Sequence, residues 1–252
     1  IAITRQGVMY VADTLNHAVR RIDLKTRRIT TVAGTGEKGF SGDGGAGTRA
    51  TFNGTFGIAL NPGQTSLYIA DLNNRRVRML DLNTGTVTTI AGNGESGEPA
   101  DGSEAAHSPL IDPRAVAVDS NGNVYILERR GNALRVVDAK GRIRTVIRPG
   151  SITPDLNGPK HLCIDGNGGV IIADSENHLI RGYEPSSGTV VTLAGTGEKG
   201  RKLEESDPLK SALNRPHGVA VDRSGALYIS DSDNHRVLRL TSFTWRSIEK
   251  KR

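Results

Sequence analysis

Apolar and β-branched residues in this chain come in bursts of strand length, separated by clusters of Gly, Pro, Asn, Asp and Ser. Residues 56–94 show the pattern most fully. "FGIAL", "SLYIAD", "RVRMLD" and "TVTTIAG" are four such runs, and "NPGQ", "LNN" and "LNTG" stand between them. β-branched and apolar residues at this length, bounded by turn residues, predict β-strands joined by tight turns. No stretch has the 3.6-residue apolar period of an amphipathic helix.

The pattern repeats. "LYIADLNNRRVRMLDLNTGTVTTIAGNG" from Leu67 has counterparts at "MYVADTLNHAVRRIDLKTRRITTVAGTG" from Met9 and "VYILERRGNALRVVDAKGRIRTVI" from Val124. Two more follow, "VIIADSENHLIRGYEPSSGTVVTLAGTG" from Val170 and "LYISDSDNHRVLRLT" from Leu227. The acidic residue closing the second strand of each is Asp13, Asp71, Glu128, Asp174 or Asp231, at intervals of 58, 57, 46 and 57 residues. Five units follow, at about 1–40, 56–94, 113–148, 159–197 and 216–248, within one all-β domain spanning 1–252. A four-stranded sheet repeated at this period cannot bury both faces alone, and the solution it predicts is a β-propeller of four-stranded antiparallel blades.

The unit cores "VADTLNHAVRRID", "IADLNNRRVRMLD", "IADSENHLIRGYE" and "ISDSDNHRVLRL" resemble NHL repeats, whose name-giving Asn-His-Leu stands here as Asn177, His178 and Leu179. The resemblance, to bacterial-type NHL repeat-containing proteins, covers essentially the whole chain. It implies a six-bladed parent, since such propellers usually have six blades and five units are visible; a five-blade ring is the alternative. The third unit departs from the pattern, with Glu128 for the Asp and Gly131 for the Asn, so its turn is expected to be built differently.

In a propeller the turn between second and third strands shares a face with the long Gly-rich connections and with the lead-in to each first strand. Aligning the lead-ins "NGTFGIAL", "IDPRAVAV", "NGPKHLCI" and "NRPHGVAV" places Phe56, Arg114, Lys160 and His217 at one register, the expected channel mouth. These differ from unit to unit, so they are the first candidates for ligand binding, with Arg114 and Lys160 as point charges and His217 as a donor. The peptidyl-hydroxyglycine lyases, which resemble NHL propellers, hold a catalytic zinc by three histidines at this register. Only His217 occupies it here, so neither a three-histidine metal site nor a catalytic set is expected. The turns supply a second set on the same face: His17, Arg75, Arg129, Arg130, His178 and His235.

The Asp and Asn of each turn are scaffold by expectation, because a carboxylate can accept backbone N–H groups and Asn tolerates left-handed backbone. The strand arginines Arg20, Arg78, Arg135 and Arg181 recur at one register, with Leu238 breaking it. They point to ion pairs, with the Asp of a neighbouring unit as a partner. "GTGEKG" and "SGDGG" lack P-loop spacing and a following helix, so they are turn chemistry.

Composition adds limits. Thirty-three basic and 27 acidic residues give a net charge of +6, interspersed along the chain, a mild bias toward anionic partners. Aromatics are 4% of the chain, which leaves few stacking platforms and disfavours single-stranded nucleic acid. One cysteine, Cys163, permits no internal disulfide. No run is long and apolar enough to span a bilayer. The chain begins at Ile1 within an apolar run, suggesting that sequence precedes it, and the compartment is left open. The function these features favour is a non-enzymatic scaffold that holds a protein or peptide, or another anionic ligand, on its loop-bearing face, without cofactor. The alternatives are a divergent hydrolase or lyase at the channel mouth and RNA binding.

Overall fold

The computed structural model describes residues 1–241, 243 and 245. The chain divides into two compact units, residues 1–145 and 146–252. The first unit carries three antiparallel sheets in sequence order. They are β1 (Ala2–Ile3), β2 (Val8–Asp13), β3 (Ala18–Asp23) and β4 (Ile29–Ala33); β5 (Thr55–Leu60), β6 (Ser66–Asp71), β7 (Arg76–Asp81) and β8 (Val87–Ala91); and β9 (Pro113–Val118), β10 (Val124–Glu128), β11 (Ala133–Val137) and β12 (Ile143–Ile147), the last strand running across the division. The second unit carries β13 (His161–Ile164), β14 (Val170–Asp174), β15 (Leu179–Glu184) and β16 (Thr189–Ala194). Its other sheet has three strands among the described residues: β17 (Gly218–Val221), β18 (Leu227–Asp231) and β19 (Arg236–Leu240). Each sheet is one repeat, so the five units are five blades of the β-propeller class. Among the described residues the helices are single 3₁₀ turns, none long and apolar enough to cross a membrane.

Turn chemistry fixes the strand ends. Asp23, Asp81 and Asp138 each accept two backbone N–H groups from the residues that follow, as do Asp119, Asp165 and Asp222. A carboxylate so bonded replaces the ladder at a hairpin tip. Within each unit the core lies between successive sheets. Phe52, from the loop after β4, is sealed among Leu67, Ile69, Leu80 and Val87; Leu110, from the loop after β8, is sealed among Val124, Ile126, Val137 and Ile143. In the second unit Leu213 joins Leu227 and Ile229 in the same way. Burial of a Leu or Phe side chain contributes about 1.5–3 kcal/mol, so each connection is an anchor as well as a linker.

Each repeated arginine lies beside the acidic residue of its own sheet, and Arg78 pairs more closely still with the preceding loop. Arg135 donates to Glu128 at 2.7 Å, Arg20 to Asp13 at 2.9 Å and Arg181 to Asp174 at 3.4 Å; Arg78 lies 3.7 Å from Asp71 and 2.7 Å from Asp43 of the preceding loop. The expected pairing with a neighbouring unit's Asp is replaced by pairing with the same unit's, because strands two and three of one sheet put these residues side by side. Left-handed backbone falls one residue later than expected. His17, Arg75, His178 and His235 have φ of 49°, 51°, 56° and 53°, while the preceding Asn ties its amide to the Asp. Cys163 packs against the core of the second unit, where burial pushes its thiol up to about 12. Trp245 donates its indole N–H to Asp165 at 2.9 Å and packs against Gly182, where the other blades carry Arg21, Met79, Val136 and Arg239.

Candidate functional site

The lead-ins to β5 and β9 come together because Gly57 lets the strands approach: a Cβ there would stand 2.5 Å from the Ala115 Cα. That approach sets the Arg114 guanidinium carbon 3.8 Å above the centroid of the Phe56 ring, a cation–π stack. Burial, reinforced by the nearby Arg129 charge and opposed by Asp112, lowers the Arg114 pKa to about 10. The guanidinium remains charged at neutral pH but is poorly solvated, the condition in which a ligand's negative charge is most strongly felt.

The turn after β10 brings two more cations. Asp112 Oδ1 accepts the Arg130 N–H at 2.7 Å and the Gly131 N–H at 3.4 Å, and the Asp112 carbonyl accepts from Arg129 N at 3.4 Å. The third unit, which lacks the Asp and Asn of the others, therefore organises its turn through Asp112, and Asn132 takes the left-handed position at φ 46°. Burial pushes the Asp112 carboxyl up, against the pull of these N–H groups and of Arg130 and Arg129. Arg129 and Arg130 themselves project as exposed side chains. Arg75 closes the opposite wall, donating to the Gly94 carbonyl at 3.3 Å.

The result is a cleft of about 220 Å³ lined by Phe56, Asn73, Arg75, Asp112, Arg114, Arg129 and Arg130, with Leu72 and Ile111. Among the described residues Arg114, Arg129 and Arg130 form no salt bridge. Three guanidinium groups around an aromatic wall can take a carboxylate or phosphate through bidentate hydrogen bonds.

The other sequence candidates divide. His17 Nδ1 accepts the Gly54 N–H and His178 Nδ1 accepts the Arg215 N–H, both at 3.1 Å, so each locks the lead-in to the next blade. His235 is exposed on its turn. In the second unit Lys160 donates from Nζ to His217 Nε2 at 2.6 Å, and Glu176 lies 3.6 Å from Lys160 and 2.7 Å from Arg215. Arg215 holds the Glu176 carboxyl below its ordinary value. Lys160 is thus buried 3.6 Å from a carboxylate, whereas the carboxylate of the arginine cleft, Asp112, is taken up by backbone N–H groups of the turn and forms no salt bridge with the cleft arginines among the described residues. Among the described residues no three His, Cys, Asp or Glu side chains converge as metal ligands. The residue that sequence reading missed is Asp112; the signal was a carboxylate at a register where the other lead-ins carry Gly54, Gly158 and Arg215.

The NHL repeat family matches at residues 156–183 and 213–240, and the Teneurin NHL domain family at 82–154. Protein SUPPRESSOR OF QUENCHING 1, chloroplastic, of Arabidopsis thaliana is 27% identical over 250 residues, which is 91% of this chain and 23% of that protein. NHL repeat-containing protein 2 of Homo sapiens is 26% identical over 271 residues, 92% of this chain and 37% of that protein. The chain therefore spans well under half the length of these relatives. Among solved structures, one of a nidogen/laminin complex superposes with a TM-score of 0.68 at 16% identity, covering 96% of this chain and 76% of that one. A streptogramin B lyase superposes with a TM-score of 0.64 at 12% identity, covering 97% and 66%. At these identities the superpositions speak for fold alone. Repeat-family matches in both units, similarity to NHL repeat-containing protein 2 over 92% of this chain and the repeated blades together support the assignment of this chain to the NHL-repeat β-propellers.

Proposed function

We propose that this chain is a binding module that holds an acidic segment of a partner protein in the cleft walled by Phe56, Arg75, Arg114, Arg129 and Arg130. The observation that carries the reading is the contrast between two sets of arginines. Arg20, Arg78, Arg135 and Arg181 are each paired with a carboxylate of the scaffold, whereas Arg114, Arg129 and Arg130 face a cleft with no salt-bridge partner among the described residues. A ligand carboxylate would complete them, and the Arg114–Phe56 stack presents its charge in a fixed orientation at low entropic cost. Similarity to NHL repeat-containing proteins is consistent with a module of this kind.

The test is a titration with fluorescein-labelled hexaglutamate. Binding should weaken as salt is raised, and Arg129→Ala with Arg130→Ala should reduce affinity about tenfold or more, as loss of charge-assisted hydrogen bonds would. Arg5→Ala, an exposed arginine elsewhere in the unit, should leave it unchanged. Equal loss in the Arg5 variant would reduce the effect to net charge, and preferential binding of single-stranded RNA over hexaglutamate would replace the peptide reading.

A further inference from the structure

The residue two places after the acidic residue that closes each second strand is Leu15, Asn73, Arg130, Glu176 or Asp233. In the fourth and fifth blades this register carries the carboxylates that answer the lead-in cations. Glu176 lies 3.6 Å from Lys160 and 2.7 Å from Arg215, and Asp233 lies 3.7 Å from Arg215. The third blade reverses the arrangement. Its lead-in cation, Arg114, shares the cleft with Arg130 at that register and with Arg129 one place before it. Gathering like charges works against the compact state, and no scaffold contact is gained in return. Among the described residues the guanidinium groups of Arg114, Arg129 and Arg130 donate no hydrogen bond and form no salt bridge; the one contact of the three is the stack of Arg114 on Phe56.

Four guanidinium groups and one carboxylate line the cleft, Arg75, Arg114, Arg129 and Arg130 against Asp112, which leaves three positive charges in excess. Arg114 feels the Arg129 charge directly, since that repulsion adds to burial in lowering its pKa. One anion set between the two would relieve both. A carboxylate offers a single charge and two oxygens, and it leaves two of the three positive charges unmatched. A phosphomonoester offers three terminal oxygens and a charge of about −1.5 to −2 at neutral pH. The Arg114 guanidinium has one face occupied by Phe56 at 3.8 Å, which leaves its in-plane N–H groups for those oxygens. Size narrows the choice further. The cleft volume of about 220 Å³ falls below the about 300–1,000 Å³ of sites that enclose a whole small molecule, and it suits one phosphoryl group on a short stem better than a nucleotide.

We infer that the acidic group this cleft selects is a phosphoserine or phosphothreonine of the partner segment, with its phosphoryl oxygens shared among Arg114, Arg129 and Arg130. The inference rests on the reading of the cleft as the site of an acidic partner segment and adds the chemistry of the acidic group. The phosphoryl group takes the part that Glu176 plays beside Lys160 and Arg215, with one more oxygen and up to one more charge for the additional arginine. Leu72 and Ile111, which also line the cleft, give the side-chain stem an apolar surface to lie against.

The probes are fluorescein-labelled peptides Gly-Gly-Xaa-Gly-Gly in which Xaa is phosphoserine, Glu or Ser, titrated into the full chain at one salt concentration and followed by anisotropy. The phosphoserine peptide should bind about tenfold or more tightly than the Glu peptide, and the Ser peptide should not bind measurably. Arg130→Glu, at an exposed position, supplies Arg114 with a carboxylate of the chain's own and should abolish the preference for phosphoserine. Arg114→Lys keeps the charge but loses the fork and should narrow it. Arg5→Ala should leave it unchanged, and circular dichroism melting of each variant shows that it is folded. A phosphoserine peptide that binds no better than the Glu peptide while hexaglutamate still binds overturns this inference and leaves the acidic-segment reading standing. Failure of hexaglutamate and of all three peptides overturns both. A preference that persists in Arg130→Glu also overturns the inference, as does competition by inorganic phosphate at the concentration of the phosphopeptide, which would assign the cleft to the free anion.

Discussion

Substituting the registered acidic residue by Ala should cost very different amounts in different blades, although the sequence around each is nearly the same. Asp71 is fully buried. It accepts the Asn53 N–H and the Asn74 amide and lies 3.7 Å from Arg78, itself fully buried. Burial pushes the Asp71 carboxyl up despite these contacts. The loss on substitution therefore comes from the groups left behind, a buried N–H and a buried guanidinium, more than from the attraction of the pair. Removing one partner of a buried ion pair costs about 3–5 kcal/mol, and because Arg78 keeps Asp43 at 2.7 Å the lower end applies, about 3 kcal/mol. Asp13 pairs with Arg20 at 2.9 Å with both side chains more than a quarter exposed, and a surface pair contributes about 0–1 kcal/mol. At about 2–4 °C per kcal/mol for a chain of this size, Asp71→Ala should lower Tm by about 6–12 °C and Asp13→Ala by no more than about 4 °C. Thermal unfolding followed by circular dichroism reads both. Equal shifts would refute the argument that burial, complete at Asp71 and Arg78 and partial at Asp13 and Arg20, sets the worth of the network.

Two further outcomes follow from the turns. Gly92 has φ +91°, and a Cβ there would collide with the Arg75 carbonyl, whereas Gly85, at φ +74°, has nothing within 4 Å. Gly85→Ala should therefore cost only the left-handed strain, about 1–2 kcal/mol, and Gly92→Ala clearly more, as read by urea midpoints. The hairpin carboxylates Asp23, Asp81, Asp138 and Asp222 are held below their ordinary value of 3.8 by hydrogen bonds from the turns. A carboxylate lowered on folding contributes stability that is present above its unfolded pKa and lost as pH falls through the folded one. The stability these turns contribute should thus decline below about pH 4, and Asp81→Asn, which keeps an acceptor without a charge, should remove its share of that decline in pH-dependent urea titrations compared with the parent chain.

Much of the fold was legible because the repeat makes each blade a check on the others. Asp13 through Asp231 aligned without gaps in function, and the sheets follow them. The cleft was partly legible. Phe56 and Arg114 emerged as residues that vary at one register, and Arg129 and Arg130 as turn residues on the same face; the structure brings these with Arg75 to one cavity. What joins them, Gly57 against Ala115, is a close approach between sheets that no local pattern announces. Lys160 and His217 looked equivalent in alignment, but Glu176, from a turn, supplies a carboxylate beside Lys160. The apolar residue anchoring each connection was visible as "FNG", "LID", "LNG" and "LNR". Its meaning required seeing Phe52, Leu110, Leu156 and Leu213 buried on successive blades.

The central claim is that uncommitted arginines in the first unit select an acidic partner segment. Charge reversal at the cleft tests it most directly: the ratio of affinities for hexaglutamate and hexalysine, measured by fluorescence anisotropy for the parent chain and for Arg129→Glu with Arg130→Glu. The account predicts a preference for hexaglutamate in the parent and its inversion in the variant. A preference that survives the reversal would contradict it.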